Sequence, residues 1–450
     1  MQKTKKIDLD KKYSLPDDVV EVKHRGKWLI ISPMHFIWLT LDNDSQLAFF
    51  HSLQKLSIRD AINVSGVPAL DVQNVIIQIE AKDFCSNNSI DKGLQNNVMT
   101  QFFLTNACNL RCPHCYMVAG KEAPNELSFS EVTKALRVFA DHGGKKVTFS
   151  GGEVRVRRDS FEILKFCKAI GLRTQVFTNG TLWNDIEFNS EQTDSWIGLI
   201  DEVQVSIDGY SEETNAVTRG KGNYARSLHC VDMFVKAGVK TEVAVTPLMS
   251  KELESQVDNY ISWGRGLLEK YKGRSFSMKF SGELMDGRDV SLTDEEQLKF
   301  GQIMDSIYRG VYGEDVAARA FASFVLQKQR MHGCTFGSFN VTSNGDIYAC
   351  GRITGMTPMA NVRTCSYDEV FKQLADATRL ADIDNLKPCR DCELRYFCGG
   401  DCRVKYFAGF AQARDYTNLR SETIGARACT RSNKERFYNL MIDADPLLFQ

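Results

Sequence analysis

Three cysteines stand close together in the stretch Thr105–Tyr116, at Cys108, Cys112 and Cys115. Cysteine thiolates are the usual ligands of a four-iron cluster, and three of them leave one iron open to another ligand. A redox thiol pair and a zinc site are the alternatives. Structural zinc needs four protein ligands, and His114 is poorly placed as the fourth because it directly precedes Cys115. The spacing therefore favours an iron–sulfur cluster with one reactive iron.

Seven further cysteines in the C-terminal part are also spaced like metal ligands. They are Cys334, Cys350, Cys389, Cys392, Cys398, Cys402 and Cys429. The N-terminal residues contain no apolar signal segment, so we expect a cytoplasmic protein whose 14 cysteines stay reduced. Clustered thiols in such a protein indicate metal sites, with zinc ribbons as the alternative to iron–sulfur clusters.

Length and composition limit the possible partners. A chain of 450 residues predicts two to four domains at about 150 residues each, and 43% hydrophobic residues are enough for packed cores. The formal net charge of −1 provides no general attraction to nucleic acid or anionic membranes. No run of about 18 apolar residues occurs, so we expect neither a membrane nor a nucleic acid as partner.

Alternating strands and helices must position the first cysteine stretch, which follows an apolar strand at Val98–Leu104. Further strands are predicted at Val147–Phe149, Thr174–Phe177, Val203–Ile207, Thr241–Val245 and Phe276–Phe280. Helices are predicted from the Ser128/Glu131 capping box to Gly143, at Ser160–Ile170, Tyr224–Ala237 and 251–271, and from Thr293 to about Val311. This alternation predicts an α/β fold with a parallel sheet, namely a partial (β/α)6 barrel over residues 98–312.

The carboxyl ends of the predicted strands carry residues that could bind a ligand. These residues are Gly151, Gly152, Glu153, Asn179, Ser206, Asp208 and Arg219. Two glycines allow close approach of a ligand's amino group, and a glutamate carboxylate can accept hydrogen bonds from that group. A serine and an aspartate on one strand suit ribose hydroxyls, and an arginine can bind a carboxylate. Each feature alone is typical of an ordinary turn, but together they follow successive strands.

The cysteine spacing and these strand-end residues together resemble the signature of radical S-adenosylmethionine (SAM) enzymes. The resemblance implies that SAM binds the open iron, with Gly151–Glu153 at its amino group and Tyr116 near adenine, although Tyr116 could simply be packed. An electron from flavodoxin or ferredoxin would then cleave SAM to a 5′-deoxyadenosyl radical. Val154 stands where the family often has proline, which leaves the loop less fixed in φ but removes no ligand.

The seven C-terminal cysteines resemble the SPASM domain of peptide-modifying radical SAM enzymes, expected here over residues 313–450. The resemblance implies two auxiliary 4Fe-4S clusters, and hence three clusters in all. The outer cluster would be bound by Cys389, Cys392, Cys398 and Cys429, and the inner one by Cys334, Cys350 and Cys402. Fully ligated relatives have one more cysteine shortly before the Cys334 position, but residues 326–333 contain none. The inner cluster would have an open iron, or be completed by Cys365 or a non-cysteine group.

Residues 1–85 predict three short strands between 18 and 41, followed by three helices. The helices are predicted to begin near Asn43 and to span Ile58–Val64 and Asp71–Phe84. This order resembles a winged-helix module, and the third helix has no arginine with which to read DNA. The module looks like a RiPP recognition element, which binds the leader of a ribosomal precursor peptide as an added strand beside that helix. A purely packing role is the alternative, and residues 86–97 are a predicted linker.

These resemblances imply a radical SAM maturase of a ribosomally made precursor peptide, most simply one that forms a thioether or another intrapeptide cross-link. A formylglycine-generating sulfatase maturase is an alternative. Such an enzyme should have a fully ligated inner cluster and has no need of a leader-binding module, and both features count against it here. A peptide epimerase would need a thiol hydrogen donor such as Cys167 or Cys230, which could equally be packed in the core. An iron–sulfur DNA-binding regulator is the alternative without catalysis, disfavoured by the intact SAM-binding residues.

Overall fold

The computed structural model describes residues 7–85, 98–183, 196–327, 334–400, 402–420 and 431–449. A nine-stranded sheet forms its centre, and a sheet of three strands lies in the N-terminal part. Three predicted features lie outside the described residues: the linker 86–97, Cys429, and most of the stretch before Cys334 that lacks a cysteine.

The N-terminal part contains three antiparallel strands and three helices at the positions that the sequence predicts. They are β1 (Val20–His24), β2 (Lys27–Ser32), β3 (Ile37–Leu41), α1 (Asp44–Leu53), α2 (Ile58–Ser65) and α3 (Ala69–Ala81). Ser57 caps α2 by accepting a hydrogen bond from the Asp60 N–H, and Gly66 ends it in the left-handed conformation. The third helix begins earlier than predicted, directly after Pro68, whose fixed φ suits a helix start.

Both faces of β2 and β3 are buried, against different partners. Ile30 and Leu39 pack on the three N-terminal helices. The opposite face packs against the C-terminal part, where the ring of Phe36 stacks on Phe397 with centroids 4.5 Å apart and Trp38 lies edge-on to the same ring. The N-terminal part is therefore docked on the region that carries the outer cysteines.

Six parallel strands form most of the central sheet and extend to one of its edges. They are β4 (Met99–Thr105), β5 (Lys146–Gly151), β6 (Arg173–Thr178), β7 (Glu202–Ser206), β8 (Lys240–Val245) and β9 (Phe276–Phe280). Each strand pairs in parallel with the next one along the chain. The predicted α/β class with a parallel sheet is confirmed, whereas closure into a partial (β/α)6 barrel stays a prediction.

Helices follow these strands, and three of the six that the structure describes begin at a capping box. They are α4 (Phe129–Asp141), α5 (Ser160–Ala169), α6 (Glu212–Arg219), α7 (Tyr224–Lys236), α8 (Val257–Lys270) and α9 (Asp294–Tyr312). Ser128 and Glu131 form the predicted capping box of α4. The sequence does not predict α6, because its capping box uses Ser211 with Thr214 instead of a glutamate or glutamine.

The C-terminal part adds short helices and three short strands. They are α10 (Val316–Leu326), β10 (Asn340–Val341), β11 (Asp346–Tyr348), β12 (Ala360–Asn361), α11 (Tyr367–Leu380), α12 (Arg395–Cys398), α13 (Arg403–Tyr406), α14 (Ala408–Gln412) and α15 (Arg431–Ala444). Strand β10 pairs in parallel with β4, so β10–β12 cover an edge that would otherwise expose unpaired backbone groups. The sheet thus continues across the boundary expected between residues 312 and 313. Within the described ranges, no helix combines the length and the apolar character needed to cross a bilayer.

Candidate functional site

The three cysteines Cys108, Cys112 and Cys115 lie on one loop that leaves the carboxyl end of β4. The Cys108 N–H donates to the Gly120 carbonyl at 2.9 Å, and the Gly120 N–H donates back to Asn106 at 2.9 Å, which closes the loop at its base. The Cys115 N–H donates to the Cys112 carbonyl at 3.2 Å. These backbone hydrogen bonds thus keep the three cysteines on one closed loop.

Burial affects the protonation of this loop. It raises the pKa of the Cys108 thiol to about 11 and also raises that of Cys112, although the nearby Arg219 guanidinium acts in the opposite direction on Cys112. A thiol must lose its proton to bind metal. Burial thus favours the thiol over the thiolate at this loop, and a metal group bound there would have to offset that preference.

Gly151 and Gly152 lie against the base of the cysteine loop. The Gly152 N–H donates to Thr105 at 2.7 Å, and the Glu153 N–H donates to Ala107 at 2.8 Å. A Cβ at Gly152 would lie 2.0 Å from the Ala107 carbonyl oxygen, and Gly151 has a φ of +116°. Both glycines are therefore required for contact between the two loops, whatever ligand also approaches them.

The Glu153 carboxylate joins two strand ends. It is fully buried and accepts hydrogen bonds from the Thr178 hydroxyl at 2.7 Å and the Asn179 N–H at 2.8 Å. Burial raises the pKa of Glu153, and these hydrogen bonds act in the opposite direction. The sequence predicts this carboxylate as an acceptor for an incoming amino group; the structure shows backbone and hydroxyl donors already bound to it.

Asn179 reaches the cysteine loop directly. Its amide donates to the Asn109 side chain at 2.9 Å and lies 4.0 Å from the Cys108 sulfur. Asn109 in turn donates to the Thr181 hydroxyl at 2.8 Å. Asn109 and Thr181 are not predicted from sequence as site residues, although Asn109 directly follows Cys108 and Thr181 lies two residues after Asn179.

Asp208 and Arg219 pair with each other, with His114 beside them. The Asp208 carboxylate is 1% exposed and lies 2.6 Å from the Arg219 Nε and 3.4 Å from the His114 Nε2. Its other oxygen accepts from the Thr246 N–H at 3.0 Å. The sequence predicts separate contacts of Asp208 with ribose and Arg219 with a carboxylate; instead, an ion pair across the loop joins them. From sequence, His114 is a candidate only as a zinc ligand, so its contact with Asp208 is a new finding.

Two buried polar atoms next to this pair lack hydrogen-bond partners in the part of the chain that the structure describes. Among the described residues, the His114 Nδ1 and the Asn215 Nδ2 find no hydrogen-bond acceptor or donor. Burying such atoms unpaired is costly, so a ligand with polar groups fits here.

Two further predicted site residues, Ser206 and Tyr116, lie on separate segments. Ser206 is the last residue of β7 and is paired with Ala244 of β8. Tyr116 follows Cys115 on the cysteine loop, and burial raises the pKa of its hydroxyl to about 12.

The segment after β9 covers the outside of the cysteine loop. Arg288 donates to the Cys112 carbonyl at 3.2 Å and also to the Ala119 carbonyl, and the Asp289 N–H donates to Pro113 at 2.8 Å. No sequence motif marks Arg288, because it is far from the loop along the chain.

Cys334, Cys350 and Cys402 come together in the C-terminal part. Burial, with the other two thiols nearby, raises the pKa of Cys350 to about 12, and its sulfur accepts from the Arg352 N–H at 3.4 Å. Cys365, considered as a completing ligand, has Lys134 as its charged neighbour and lies near Tyr367.

Cys389, Cys392 and Cys398 lie beside the aromatic core shared with the N-terminal sheet. The Cys392 N–H donates to Cys389 at 3.0 Å, and burial raises the pKa of Cys392 to about 11. The neighbouring Glu393 accepts from Lys434 at 2.9 Å and from Tyr438. Within the described part of the chain, no three His, Cys, Asp or Glu side chains are close enough to hold a single metal ion. In a cubane cluster each cysteine binds a different iron, so its ligands need not meet at one point.

Residues 102–264 match the profile of the Radical SAM superfamily. This range contains the first cysteine loop and all of the predicted strand-end residues. The chain contains a radical SAM domain. SAM binding and a 4Fe-4S cluster are characteristic of this superfamily, which agrees with the closed cysteine loop.

Curated relatives extend the similarity beyond the radical SAM domain. The sporulation killing factor maturation protein SkfB of Bacillus subtilis is 26% identical over 53% of this chain and 60% of its own length. Thus the matched part spans less than two thirds of that relative. The mycofactocin maturase MftC of Mycobacterium ulcerans is 25% identical over 71% of this chain and 86% of its own length.

A solved structure shares the fold over most of the chain. The structure of anSMEcpe with bound AdoMet and Cp18Cys peptide matches with a TM-score of 0.53 and 16% identity. The match covers 78% of this chain and 97% of that chain. At this identity the likeness shows the fold alone.

Proposed function

We propose that the chain is a radical SAM maturase that modifies a ribosomally made precursor peptide. The observation that carries the proposal is the closed loop of Cys108, Cys112 and Cys115 against Gly152 and Asn179, inside a radical SAM domain. Two relatives named as maturation proteins support a peptide substrate. The cysteine-rich C-terminal part supports the SPASM type of enzyme.

The residues at the strand ends fit SAM and a cluster. Cys108, Cys112 and Cys115 would hold the cluster, which with SAM supplies a hydrogen-abstracting radical when both are bound. The buried Arg219 provides positive charge beside the loop, where it suits a carboxylate although Asp208 also pairs with it. The unpaired atoms of His114 and Asn215 provide further polar contacts. The chain itself orients the reactants and excludes water from them.

The C-terminal cysteines would hold two auxiliary clusters. We assign Cys334, Cys350 and Cys402 to the inner cluster, with Cys389, Cys392, Cys398 and Cys429 assigned to the outer one. With three cysteines assigned to it, the inner cluster would have an open iron. An open iron could hold a substrate thiolate, which favours a thioether as the product.

We further propose that the N-terminal module binds the peptide as an added strand, at β1. At the edge beside α3, the Gln78 side chain accepts from the Thr40 N–H at 2.8 Å and donates to its carbonyl at 2.5 Å, so it occupies the place of a strand. Lys82 donates to the Trp38 carbonyl at 3.1 Å on the same edge. On β1, the outward backbone groups of Glu21 and Lys23 have no further partner among the described residues. The expected site beside α3 is thus occupied, and β1 is the open edge.

Replacing Lys23 by proline tests this placement. Proline removes the outward N–H, so the affinity of a labelled leader peptide should fall about tenfold, corresponding to the loss of roughly one hydrogen bond. Gln78→Ala is the control and should leave the affinity unchanged. A gain in affinity with Gln78→Ala, without an effect of Lys23→Pro, would move the site back to β3. Fluorescence anisotropy with the full chain provides the measurement.

The overall function is tested with anaerobically reconstituted, reduced protein and SAM. Formation of 5′-deoxyadenosine is expected, and a short cysteine-containing peptide encoded beside the gene should lose two hydrogen atoms by mass spectrometry. If 5′-deoxyadenosine forms but the peptide mass does not change, the radical chemistry stands and the assigned substrate is wrong. A sulfatase as the neighbouring gene product, with formylglycine as the product, would favour the sulfatase maturase instead.

A further inference from the structure

We propose that residues 281–292 form a brace that fixes the first cysteine loop relative to the inner auxiliary cysteines. Glu283 and Arg288 are its positioning residues. The inference rests on the proposed function because it concerns how the two cysteine sites share one substrate. Its contacts involve residues that no sequence motif identifies.

One end of the brace forms hydrogen bonds with the cysteine loop. The Arg288 guanidinium binds two carbonyls of that loop, those of Cys112 and Ala119, and the next residue, Asp289, donates its N–H to Pro113 at 2.8 Å. A Cβ at Gly287 would lie 2.5 Å from the His114 backbone. Three consecutive residues therefore contact the loop around Cys112, and a planar guanidinium suits two carbonyls at once.

The other end of the brace holds the auxiliary side. The Glu283 carboxylate accepts two hydrogen bonds from Arg352, at 2.8 and 2.7 Å, and lies 3.5 Å from the Lys405 ammonium. Arg352 lies two residues after Cys350, and its backbone N–H donates to the Cys350 sulfur. Paired geometry of this kind is directional, so it fixes the position of the Cys350 segment as well as contributing charge.

The segment between the two ends is held at several points. The Gly287 N–H donates to Val290 at 2.8 Å, the Ser291 hydroxyl donates to Asp286 at 2.7 Å, and the Leu284 side chain is 4% exposed. Five residues span at most about 18 Å even when fully extended. The brace therefore limits the gap between the two anchoring points to a distance that one bound peptide can bridge.

Glu283→Gln tests the coupling, because it breaks the ion pair with Arg352 without touching the first loop. The EPR spectrum of the reduced, SAM-bound first cluster should change. The ratio of 5′-deoxyadenosine to modified peptide should rise about tenfold, since a shift of about 1 Å can cost up to 10²-fold in rate. Asp286→Asn is the matched control: it removes the same charge from the same segment, keeps an acceptor for Ser291, and should change neither quantity.

Arg288→Lys tests the brace from the other end. Lysine keeps the charge but cannot bind both carbonyls, and the reduction potential of the inner auxiliary cluster should shift if the brace transmits position. A Glu283→Gln effect confined to the auxiliary spectrum, with an unchanged first-cluster spectrum and product ratio, would overturn the proposal. If no peptide is modified by the unaltered protein, the function fails, but the two spectra still decide whether the brace couples the sites.

Discussion

The first cysteine loop and the C-terminal cysteines are assembled in different ways. Cys108, Cys112 and Cys115 are close in sequence, and the loop is closed by its own hydrogen bonds to Gly120. Cys334, Cys350 and Cys402 come from separate segments, and Cys350 follows β11, which reaches its place only by adding to the edge of the central sheet. The first site is local, whereas the second depends on tertiary structure.

This difference predicts different sensitivities. A local loop resting on strand ends can lose a ligand and keep its backbone, because Arg288 and Gly120 hold carbonyls and N–H groups rather than thiols. A site built from distant segments gains part of its order from the bound metal. Cysteine substitutions at the first site should therefore affect chemistry alone, and those at the second should affect chemistry and local order together.

The largest effect is expected from Cys112→Ala. It should abolish 5′-deoxyadenosine formation, and iron should fall from about 12 to about 8 atoms per chain, as expected for the loss of one cluster. The auxiliary absorption should remain. Iron analysis and chromatography of the reduced reaction provide the measurements. Continued formation of 5′-deoxyadenosine at the unaltered rate would contradict the site assignment.

Cys350→Ala should separate the two sites in the opposite sense. The variant should still cleave SAM when no peptide is present, but peptide modification should be lost. Iron should again fall to about 8 atoms per chain. Peptide mass spectrometry beside the 5′-deoxyadenosine assay measures both steps. Full peptide modification by this variant would show that the inner auxiliary cysteines have no part in the reaction.

Gly152→Ala should weaken the first site without removing a ligand. The new Cβ would lie 2.0 Å from the Ala107 carbonyl, so the two loops must separate, at a cost of about 1–3 kcal/mol. The affinity for SAM should fall as well. Gly266→Ala in α8 is the control: its Cβ meets nothing within 4 Å, and it should stabilise the chain by about 0.5–1 kcal/mol. Thermal unfolding and SAM titration compare the two, and equal behaviour would reject the close-contact argument.

The sequence predicts what is local and misses what joins distant segments. The six parallel strands follow from short apolar runs between helices, and the first site follows from the spacing of Cys108, Cys112 and Cys115. The pairing of Asp208 with Arg219 and His114 joins the segment after β7, the end of α6 and the cysteine loop, so no spacing reveals it. The addition of β10 to β4 is equally invisible, because a two-residue strand has no periodicity to detect.

The occupied edge of β3 shows the same limit at a smaller scale. Gln78 lies on a predicted helix, and nothing in its sequence surroundings marks it as a partner of Thr40. A polar residue on a helix surface usually faces water, so only the tertiary contact shows that it completes a sheet edge. The order of strands and helices in the N-terminal part can thus be predicted from sequence, but the contact that occupies this edge of the sheet cannot.

The smallest expected effect concerns the ion pair of Glu131 in α4 with Arg363 in the C-terminal part. Arg363 binds its carboxylate at 2.6 Å, and this hydrogen bond, with those from Ser128, lowers the pKa of Glu131 to about 2. A carboxylate with a lowered pKa stabilises the fold above its unfolded pKa of about 4.3, and that stabilisation is lost as the pH falls towards 2. The pair is partly exposed, so its contribution should be about 1 kcal/mol or less.

Glu131→Gln should therefore reduce the loss of stability between pH 5 and pH 3. Glu296→Gln is the matched control, because Glu296 forms the same capping box with Thr293 but has no arginine among the causes of its lowered pKa. Urea unfolding followed by circular dichroism at both pH values measures the difference. If the two variants behave alike, the helix cap alone explains the pH dependence and Arg363 adds nothing. A larger effect at Glu131 would show that α4 and the segment after β12 are also joined by this exposed ion pair.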